Sequence, residues 1–333
     1  KHITSMRSSV ILLGVLLSEN GYVSMEYPGG CVIGNRPIDM HIMGLKAMGT
    51  RFDENCQVLS ASVKQLTGAE IKLGFPSVGA TENLILAAVK AKGHTHIYGA
   101  AKEPEIVHLC HFLKKCGAKI WGEGTEYIHI EGVLHLKACK YTIPADRIVA
   151  GTYLMSALAT KGAIQIKNAP VDEMTEVIRV LKQMGAKMEW NTESIKLYPT
   201  EHLQGVFVET KVYPGFPTDL QSPMLILMTQ ARGKGRVRET IYENRFRIVS
   251  ELVKMKANLF LEKDEVQVDG ASVLQGTTVK AQELRGNAAL IMAGLVASGE
   301  TTVLDCQYVK RGYEDICRDL KSLGAMVYED EER

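Results

Sequence analysis

At 333 residues, with 46% of positions hydrophobic and 23% charged, the chain has the composition of an ordinary globular protein with apolar residues enough for more than one core. Its formal net charge of +1 supplies no global field toward nucleic acid or a membrane surface, so any anion site has to be local. The longest apolar runs, at 10–17 and 288–296, are shorter than the roughly 20 residues that cross a bilayer, and no signal-peptide pattern opens the chain, so the expected location is cytoplasmic.

Seven cysteines, Cys31, Cys56, Cys110, Cys116, Cys139, Cys306 and Cys317, make an odd count without paired spacing, which argues against a secreted disulfide framework. His108, Cys110 and His111 share a predicted helix and open a metal-binding reading, but no second ligand cluster accompanies them; packed core residues are the expectation, with no metal.

One pattern returns along the chain at a period of about 70 residues. A polar start leads into an apolar helix, then a turn with Gly, a short alternating strand, a second amphipathic helix and a strand pair. A degenerate copy runs from Met6-Arg7-Ser8-Ser9 to Gly44-Leu45-Lys46-Ala47-Met48-Gly49. The clearest copy starts at Ser77-Val78-Gly79-Ala80-Thr81, with a helix over 84–92, a strand over 95–98, a helix over 105–116 and a strand over 127–130. The next starts at Asp146-Arg147-Ile148 and has its second helix over 174–184. Two more start at Thr218-Asp219-Leu220 and Leu284-Arg285-Gly286. A Gly-Ala-x-apolar segment follows the second helix in several copies, as in Gly117-Ala118-Lys119-Ile120, Gly185-Ala186-Lys187-Met188 and Gly324-Ala325-Met326-Val327. Such repeats predict an α/β fold of stacked βα units. Pro144 suits a connection, and the predicted domains are 1–145 and 146–333.

Three stretches carry candidate chemistry. The segment Pro28-Gly29-Gly30-Cys31-Val32-Ile33-Gly34-Asn35-Arg36-Pro37 is too rich in Gly and Pro for a regular element. It reads either as a reactive-thiol loop, with Arg36 lowering the thiol pKa of Cys31 and binding an anion, or as a glycine-rich turn with an incidental cysteine. Arg7, Arg36, Arg245, Arg285 and Arg311 occupy corresponding edges of the repeats and together suit one small, multiply charged anion; singly, each reads as a surface salt bridge. In Tyr213-Pro214-Gly215-Phe216-Pro217-Thr218-Asp219-Leu220-Gln221, Asp219 reads as an N-cap or as a general base on a stiff loop.

In this order, several motifs identify a family that the chain resembles: Met6-Arg7-Ser8-Ser9, Gly29-Gly30-Cys31 with Arg36-Pro37-Ile38-Asp39, Ser77-Val78-Gly79-Ala80-Thr81-Glu82-Asn83, Glu103-Pro104-Glu105-Ile106, Phe216-Pro217-Thr218-Asp219, Glu243-Asn244-Arg245-Phe246, Leu284-Arg285 and Arg311-Gly312-Tyr313-Glu314. They resemble the UDP-N-acetylglucosamine enolpyruvyl transferases over residues 6 to about 327. The resemblance implies a two-domain inside-out α/β prism of βαβαββ units with its active site in the cleft between the domains. Two units before residue 145 and three after it imply that the first unit is missing, along with the family's N-terminal lysine and asparagine.

The resemblance further implies transfer of the enolpyruvyl group of phosphoenolpyruvate to the 3′-hydroxyl of UDP-N-acetylglucosamine, without cofactor, as the first committed step of peptidoglycan precursor synthesis. Carried over, Cys31 is the general acid and the residue alkylated by fosfomycin, and Asp219 takes the hydroxyl proton. Arg7, Arg36, Arg245, Arg285 and Arg311 hold phosphate and carboxylate; Arg36, Pro37, Ile38, Asp39, Met40 and His41 with Ser77, Val78 and Gly79 bind the uridine diphosphate; Ile241 lines the sugar site. Val149 and Gly286-Asn287 depart from the family pattern without touching a proposed catalytic side chain. The rival readings are a non-catalytic UDP-sugar-binding relative and a 5-enolpyruvylshikimate-3-phosphate synthase.

Overall fold

The computed structural model describes residues 7–27, 34, 37–55, 58–281 and 283–330; for Arg7, Ser8, Glu54 and Asn55 only the backbone is described. Two compact units emerge, and the chain passes from the first to the second between Pro144 and Ala145, with Gly34 grouped in the second.

In the first unit a 3-10 turn leads into α1 (Leu13–Asn20), β1 (Tyr22–Glu26), α2 (Asp39–Ala47), β2 (Arg51–Asn55) and β3 (Val58–Ser62). Then follow β4 (Glu70–Lys72), α3 (Val78–Ala88), β5 (His94–Tyr98), α4 (Pro104–Lys115), β6 (Lys119–Trp121) and β7 (Tyr127–Glu131). This second run is a complete βαβαββ module. Strand β4 lies parallel to β5, β5 pairs antiparallel with β7, and β7 pairs antiparallel with β6.

The second unit begins with α5 (Arg147–Ala159), β8 (Ile164–Lys167), α6 (Thr175–Gln183), β9 (Met188–Trp190) and β10 (Ser194–Leu197). It continues through β11 (Phe207–Glu209), α7 (Gln221–Thr229), β12 (Lys234–Arg238), α8 (Ile248–Lys254), β13 (Leu259–Glu262) and β14 (Glu265–Asp269), and ends with β15 (Thr278–Lys280), α9 (Leu284–Val296), β16 (Thr302–Leu304) and α10 (Ile316–Ser322). The run from β11 to β14 repeats the strand directions of the complete module in the first unit. Strands β1, β3 and β2 and strands β8, β10 and β9 form matching three-stranded antiparallel sheets, and β15 with β16 reproduces the parallel pair. The recurring α/β repeat of the sequence is thus a recurring sheet.

In each unit the first helix of a repeat lies inside and the sheet outside. All nine residues of α7 are buried, and none is charged. Helices α5, α7 and α9 pack on one another as the centre of the second unit, whereas β5, β7 and β12 bury only alternate residues and turn the others to solvent. The second helices are two-sided: in α6, Val177, Ile178, Val180 and Leu181 are buried while Glu176 and Arg179 pair on the surface. Amphipathic periodicity therefore marks α4 and α6, and continuous apolar sequence marks the central helices.

The Gly-Ala segment has a definite backbone role. Gly117, with φ 101°, ends α4 in the left-handed region: its amide donates to the Lys114 carbonyl (2.9 Å), and the Ala118 amide donates to the Leu113 carbonyl (2.9 Å). This is a Schellman cap, which satisfies carbonyls that the helix end leaves open. The same pair of bonds recurs after α2, α6 and α10, at Gly49, Gly185 and Gly324. After α8 the position is Lys256, held at φ 66°.

The side chain at Cys110 lies in the first core, and burial pushes its thiol up to about 12. His108 and His111 meet edge to face, and among the described residues no group of three or more His, Cys, Asp or Glu is placed to hold a metal ion. Cys116 and Cys139 are free thiols whose sulfurs lie 3.2 Å apart.

Because a side chain in the left-handed region costs about 1–2 kcal/mol, two substitutions at equivalent caps have opposite expected effects. Gly117→Ala should lower unfolding free energy by about 1 kcal/mol, and Lys256→Gly should raise it by about 0.5–1 kcal/mol, both read by urea unfolding.

Candidate functional site

In the first unit the candidate binding residues gather at the starts of two neighbouring helices. Ile38 precedes α2 and supplies the carbonyl that accepts from the Ile42 amide, while Asp39 opens the helix on its exposed side. Ser77 caps α3: its hydroxyl accepts from the Ala80 amide (3.3 Å) and its carbonyl from the Thr81 amide (2.9 Å). The helix therefore starts at Val78, six residues before the predicted 84, because the cap and not the apolar run sets the first turn. His41, on the first turn of α2, is buried against α3; a Cβ at Gly79 would lie 3.5 Å from its ring. The structure thus brings Ile38, Asp39, Met40 and His41 beside Ser77, Val78 and Gly79, where first-turn amides and the positive end of α3 favour an anionic group.

The second half of this motif adds a titrating carboxyl. Burial, reinforced by Glu105 and Glu103, pushes Glu82 up to about 7.

In the second unit Asp219 is clasped by two arginines. Its Oδ1 accepts from Nη2 of Arg245 (2.7 Å), and its Oδ2 accepts from Nε (3.2 Å) and Nη2 (3.1 Å) of Arg285. The Arg245 side chain is 3% exposed and that of Asp219 39% exposed, so the carboxylate bridges a buried guanidinium to the surface. Burial raises the Asp219 pKa, but the adjacent Arg285 and Arg245 outweigh it and hold the carboxyl below the usual carboxylate range. The N-cap reading of Asp219 is not what the structure contains. A 3-10 turn, Thr218–Leu220, separates the loop from α7, and neither junction has a side-chain cap.

Other side chains build the surroundings of this triad. Tyr313 is buried, its hydroxyl lies 2.8 Å from Thr152 Oγ1, and the Arg285 guanidinium sits 5.9 Å from its ring centre. Arg245 lies 5.7 Å from the Tyr242 ring centre. Arg311 makes its ring contact with Tyr308, at 5.2 Å, and not with a member of the triad. Glu239, 4% exposed, accepts from the Thr218 hydroxyl (2.8 Å) and from the amides of Ile241 (2.7 Å) and Tyr242 (3.2 Å), tying the Asp219 turn to the loop that carries Ile241 and Arg245. No sequence signal singles out Glu239: it follows β12 as one acidic residue among many, and burial alone makes it structural. Glu283 caps α9 through the amides of Arg285 (2.8 Å) and Gly286, and Asn287, one of the family departures, reaches the carbonyls of Ala281, Glu283 and Asp305. Both position the turn on which Arg285 sits.

Among the described residues, two buried nitrogens, Nε of Arg245 and Nη1 of Arg285, have no hydrogen-bond partner. Donors beyond those that hold Asp219 suit the exchange of one carboxylate for another anion. Cys31 and Arg36 lie outside the described residues, as does the Arg7 side chain; Arg7 itself opens the 3-10 turn before α1.

Residues 1–320 match the family model described as EPSP synthase (3-phosphoshikimate 1-carboxyvinyltransferase). UDP-N-acetylglucosamine 1-carboxyvinyltransferase from Halothermothrix orenii is 46% identical over 322 residues, covering 97% of this chain and 77% of the relative. The protein of that name from Finegoldia magna is 44% identical over 325 residues, with coverage of 97% and 77%. UDP-N-acetylglucosamine 1-carboxyvinyltransferase 1 from Staphylococcus aureus is 43% identical over 328 residues, with coverage of 98% and 78%. Among solved structures, the enolpyruvyl transferase NikO from Streptomyces tendae superposes with a TM-score of 0.88 at 23% identity, over 97% of this chain and 78% of its own. EPSP synthase from Acinetobacter baumannii gives 0.72 at 20% identity, over 95% and 77%. At those identities the two structures establish the fold.

The two perturbed carboxyls have opposite expected pH signatures. Asp219 has a lowered folded pKa, so its stabilisation is present above the unfolded carboxylate value of about 3.9 and is lost as pH falls through the folded one. Asp219→Asn should therefore unfold at lower temperature than the parent at pH 7, with the gap closing toward pH 3 in thermal melts. Glu82 has a raised folded pKa, so the parent loses stability as pH rises from about 4.3 through 7. Glu82→Gln should match the parent at pH 4 and exceed it by roughly 2 kcal/mol at pH 8 in urea unfolding.

Proposed function

The chain belongs to the EPSP synthase family of enolpyruvyl transferases and, within it, to the UDP-N-acetylglucosamine 1-carboxyvinyltransferases, and from that premise we propose that it moves the enolpyruvyl group of phosphoenolpyruvate onto the 3′-hydroxyl of UDP-N-acetylglucosamine, releasing phosphate. This is the step that commits the sugar nucleotide to peptidoglycan. In this reading the two units, divided between Pro144 and Ala145, are the two domains of the inside-out prism, and the enzyme works in the cytoplasm on soluble substrates. No helix among the described residues is long and apolar enough to cross a membrane.

The observation that carries the reading is the Arg245–Asp219–Arg285 triad. Phosphoenolpyruvate brings a carboxylate and a phosphate, and a planar guanidinium receives either through paired N–H donors. As the substrate takes the donors, Asp219 loses the countercharges that depress its pKa and gains an anionic neighbour, and both changes raise its affinity for a proton. The base is thereby activated by binding of the acceptor's reaction partner. In the first step the sugar 3′ oxygen bonds to C2, its proton passes to Asp219, and C3 gains a proton from Cys31. In the second, the C2–O bond to phosphate breaks, a C3 proton returns to the Cys31 thiolate, restoring the double bond, and the Asp219 proton leaves with the phosphate. Arg7, Arg36 and Arg311 assist in holding the anions, the residues at the starts of α2 and α3 hold the uridine diphosphate, and Ile241 packs on the sugar. Glu239 fixes both loops around the base through its three hydrogen bonds.

The family model described as EPSP synthase matches residues 1–320, but the solved EPSP synthase is 20% identical, far below the 43–46% of the UDP-sugar enzymes.

The test is release of inorganic phosphate from phosphoenolpyruvate and UDP-N-acetylglucosamine, with mass spectrometry after fosfomycin treatment. The protein should release phosphate only with both substrates, Asp219→Asn should lower kcat by about 10²–10⁴, and one fosfomycin adduct should map to Cys31, forming faster with the sugar nucleotide. Absence of phosphate release by the parent protein rejects the assignment. Turnover without an adduct at Cys31 rejects only the role given to the thiol.

A further inference from the structure

Away from the candidate site, the first unit brings two nucleophilic side chains into contact. The sulfurs of Cys116 and Cys139, 23 positions apart in sequence, lie 3.2 Å from each other. Both are free thiols, Cys116 buried and Cys139 partly exposed. A bonded pair of sulfurs stands roughly 2 Å apart, so closing the gap takes a shift of about 1 Å, within reach of small rotations of the two side chains. The contact is held by the backbone on both sides. Cys116 ends α4 ahead of the Gly117 cap, and its carbonyl accepts from the Lys137 amide (2.7 Å). Beyond Cys139 the Tyr141 ring meets Phe112 of α4 edge to face, with centres 5.7 Å apart, and before it Leu136 packs against the first core. Cys139 thus lies between anchors at 136, 137 and 141 that lay its segment along the end of α4.

The two thiols have different parts to play. The hydrogen bond to Cys139, and after it burial, push the Cys116 thiol above its ordinary range, so Cys116 keeps its proton and is screened from solvent. Cys139 keeps part of its surface in solvent, so an oxidant reaches this sulfur first. With hydrogen peroxide as the oxidant, the Cys139 sulfur attacks one peroxide oxygen, the O–O bond breaks, and the thiol becomes a sulfenic acid while the other oxygen leaves as water with the thiol proton. The Cys116 sulfur then attacks the sulfenic sulfur; the S–S bond forms, the S–O bond breaks, and the hydroxyl leaves as water with the Cys116 proton. The thiol pair has lost two hydrogens and two electrons, and the peroxide has been reduced to water.

We infer that Cys116 and Cys139 are a redox-modification site, at which hydrogen peroxide converts the thiol pair into a reversible disulfide that fastens the connection between the two units to the end of α4. Residues 132–146 hold neither helix nor strand, and the chain passes into the second unit after Pro144. A covalent bond at Cys139 restricts this irregular stretch where packing and a single backbone hydrogen bond otherwise hold it. In a reducing compartment the thiol pair is the resting state, and the bond forms only while oxidant outruns reduction by the glutathione pool. Neither cysteine belongs to the candidate site, so the modification and the proposed reaction are separable.

The experiment treats the reduced full chain with hydrogen peroxide, alkylates the remaining thiols and maps the non-reduced peptides by mass spectrometry. The expected product is one peptide pair joined through Cys116 and Cys139, two hydrogens lighter than its separate parts and released by dithiothreitol. The oxidised protein should melt several degrees above the reduced one, and Cys139→Ser treated alike should show neither the linked pair nor the rise. Should Cys139→Ser fail to fold, the peptide map and melts of the parent alone decide. Recovery of both cysteines in alkylated form, under peroxide that oxidises other thiols of the chain, overturns the inference. So does Cys139 found as a sulfinic acid or joined to a cysteine other than Cys116, and a linked pair that leaves the melting temperature unchanged overturns the fastening of the connection.

Discussion

A helix buried on every side cannot carry a charge along its length, and this constraint arranges the rest of the molecule. Helix α7 meets it with nine buried uncharged residues, and α5 and α9 pack beside it with apolar and small side chains. Charged groups are displaced to the helix ends, where backbone amides are free and solvent is near. Asp146 caps α5, Asp219 lies in the turn that enters α7, and Arg285 stands in the first turn of α9. Because the three helices come from successive repeats, their starts lie together, and the Asp219–Arg285 pair joins two of them. The placement of the triad is a product of the repeat as much as of any local motif.

What could be read from the sequence follows the same division. Elements with one exposed face announce themselves: the predicted strand 95–98 is β5 over His94–Tyr98, and the predicted helix 105–116 is α4 over Pro104–Lys115. The Gly-Ala segment was legible as a recurrence, and its cause is the left-handed residue that closes each second helix. Strands β4, β11 and β15 have no such signature. Each is three residues long and pairs with a single neighbour, too brief for alternation to exceed chance. Tertiary pairing with the next strand creates them.

The site divides likewise. Arg245, Arg285 and Asp219 stand out as charged residues in a row of motifs, but their mutual geometry does not, because the partners lie 26 and 66 positions apart in sequence. Asp219 reads locally as a helix cap, and distant guanidiniums override that tendency, since two charge-assisted pairs exceed one cap bond. Glu239 and Thr152 were invisible for the complementary reason, and Tyr313 stood out only as a member of the Arg311 motif. Their importance lies in burial and in what they touch, and nothing in a neighbouring residue encodes either.

The Asp219 carboxylate presents an apparent conflict between structure and the proposed chemistry, since a group held below the usual carboxylate range makes a weak base. The conflict resolves if the ion pairs are regarded as a resting arrangement. A buried arginine such as Arg245 requires a countercharge at all times, and Asp219 supplies one while no anion is bound. An arriving anion satisfies the same guanidiniums, frees the carboxylate and places negative charge beside it. In the proposed reaction the rise in basicity would then be coupled to occupancy, and Asp219 would act as a base only when there is an electrophile to receive the oxygen it deprotonates. Partial exposure of Asp219 is essential to this exchange, because a carboxylate enclosed as fully as Arg245 would have no path away from its partners.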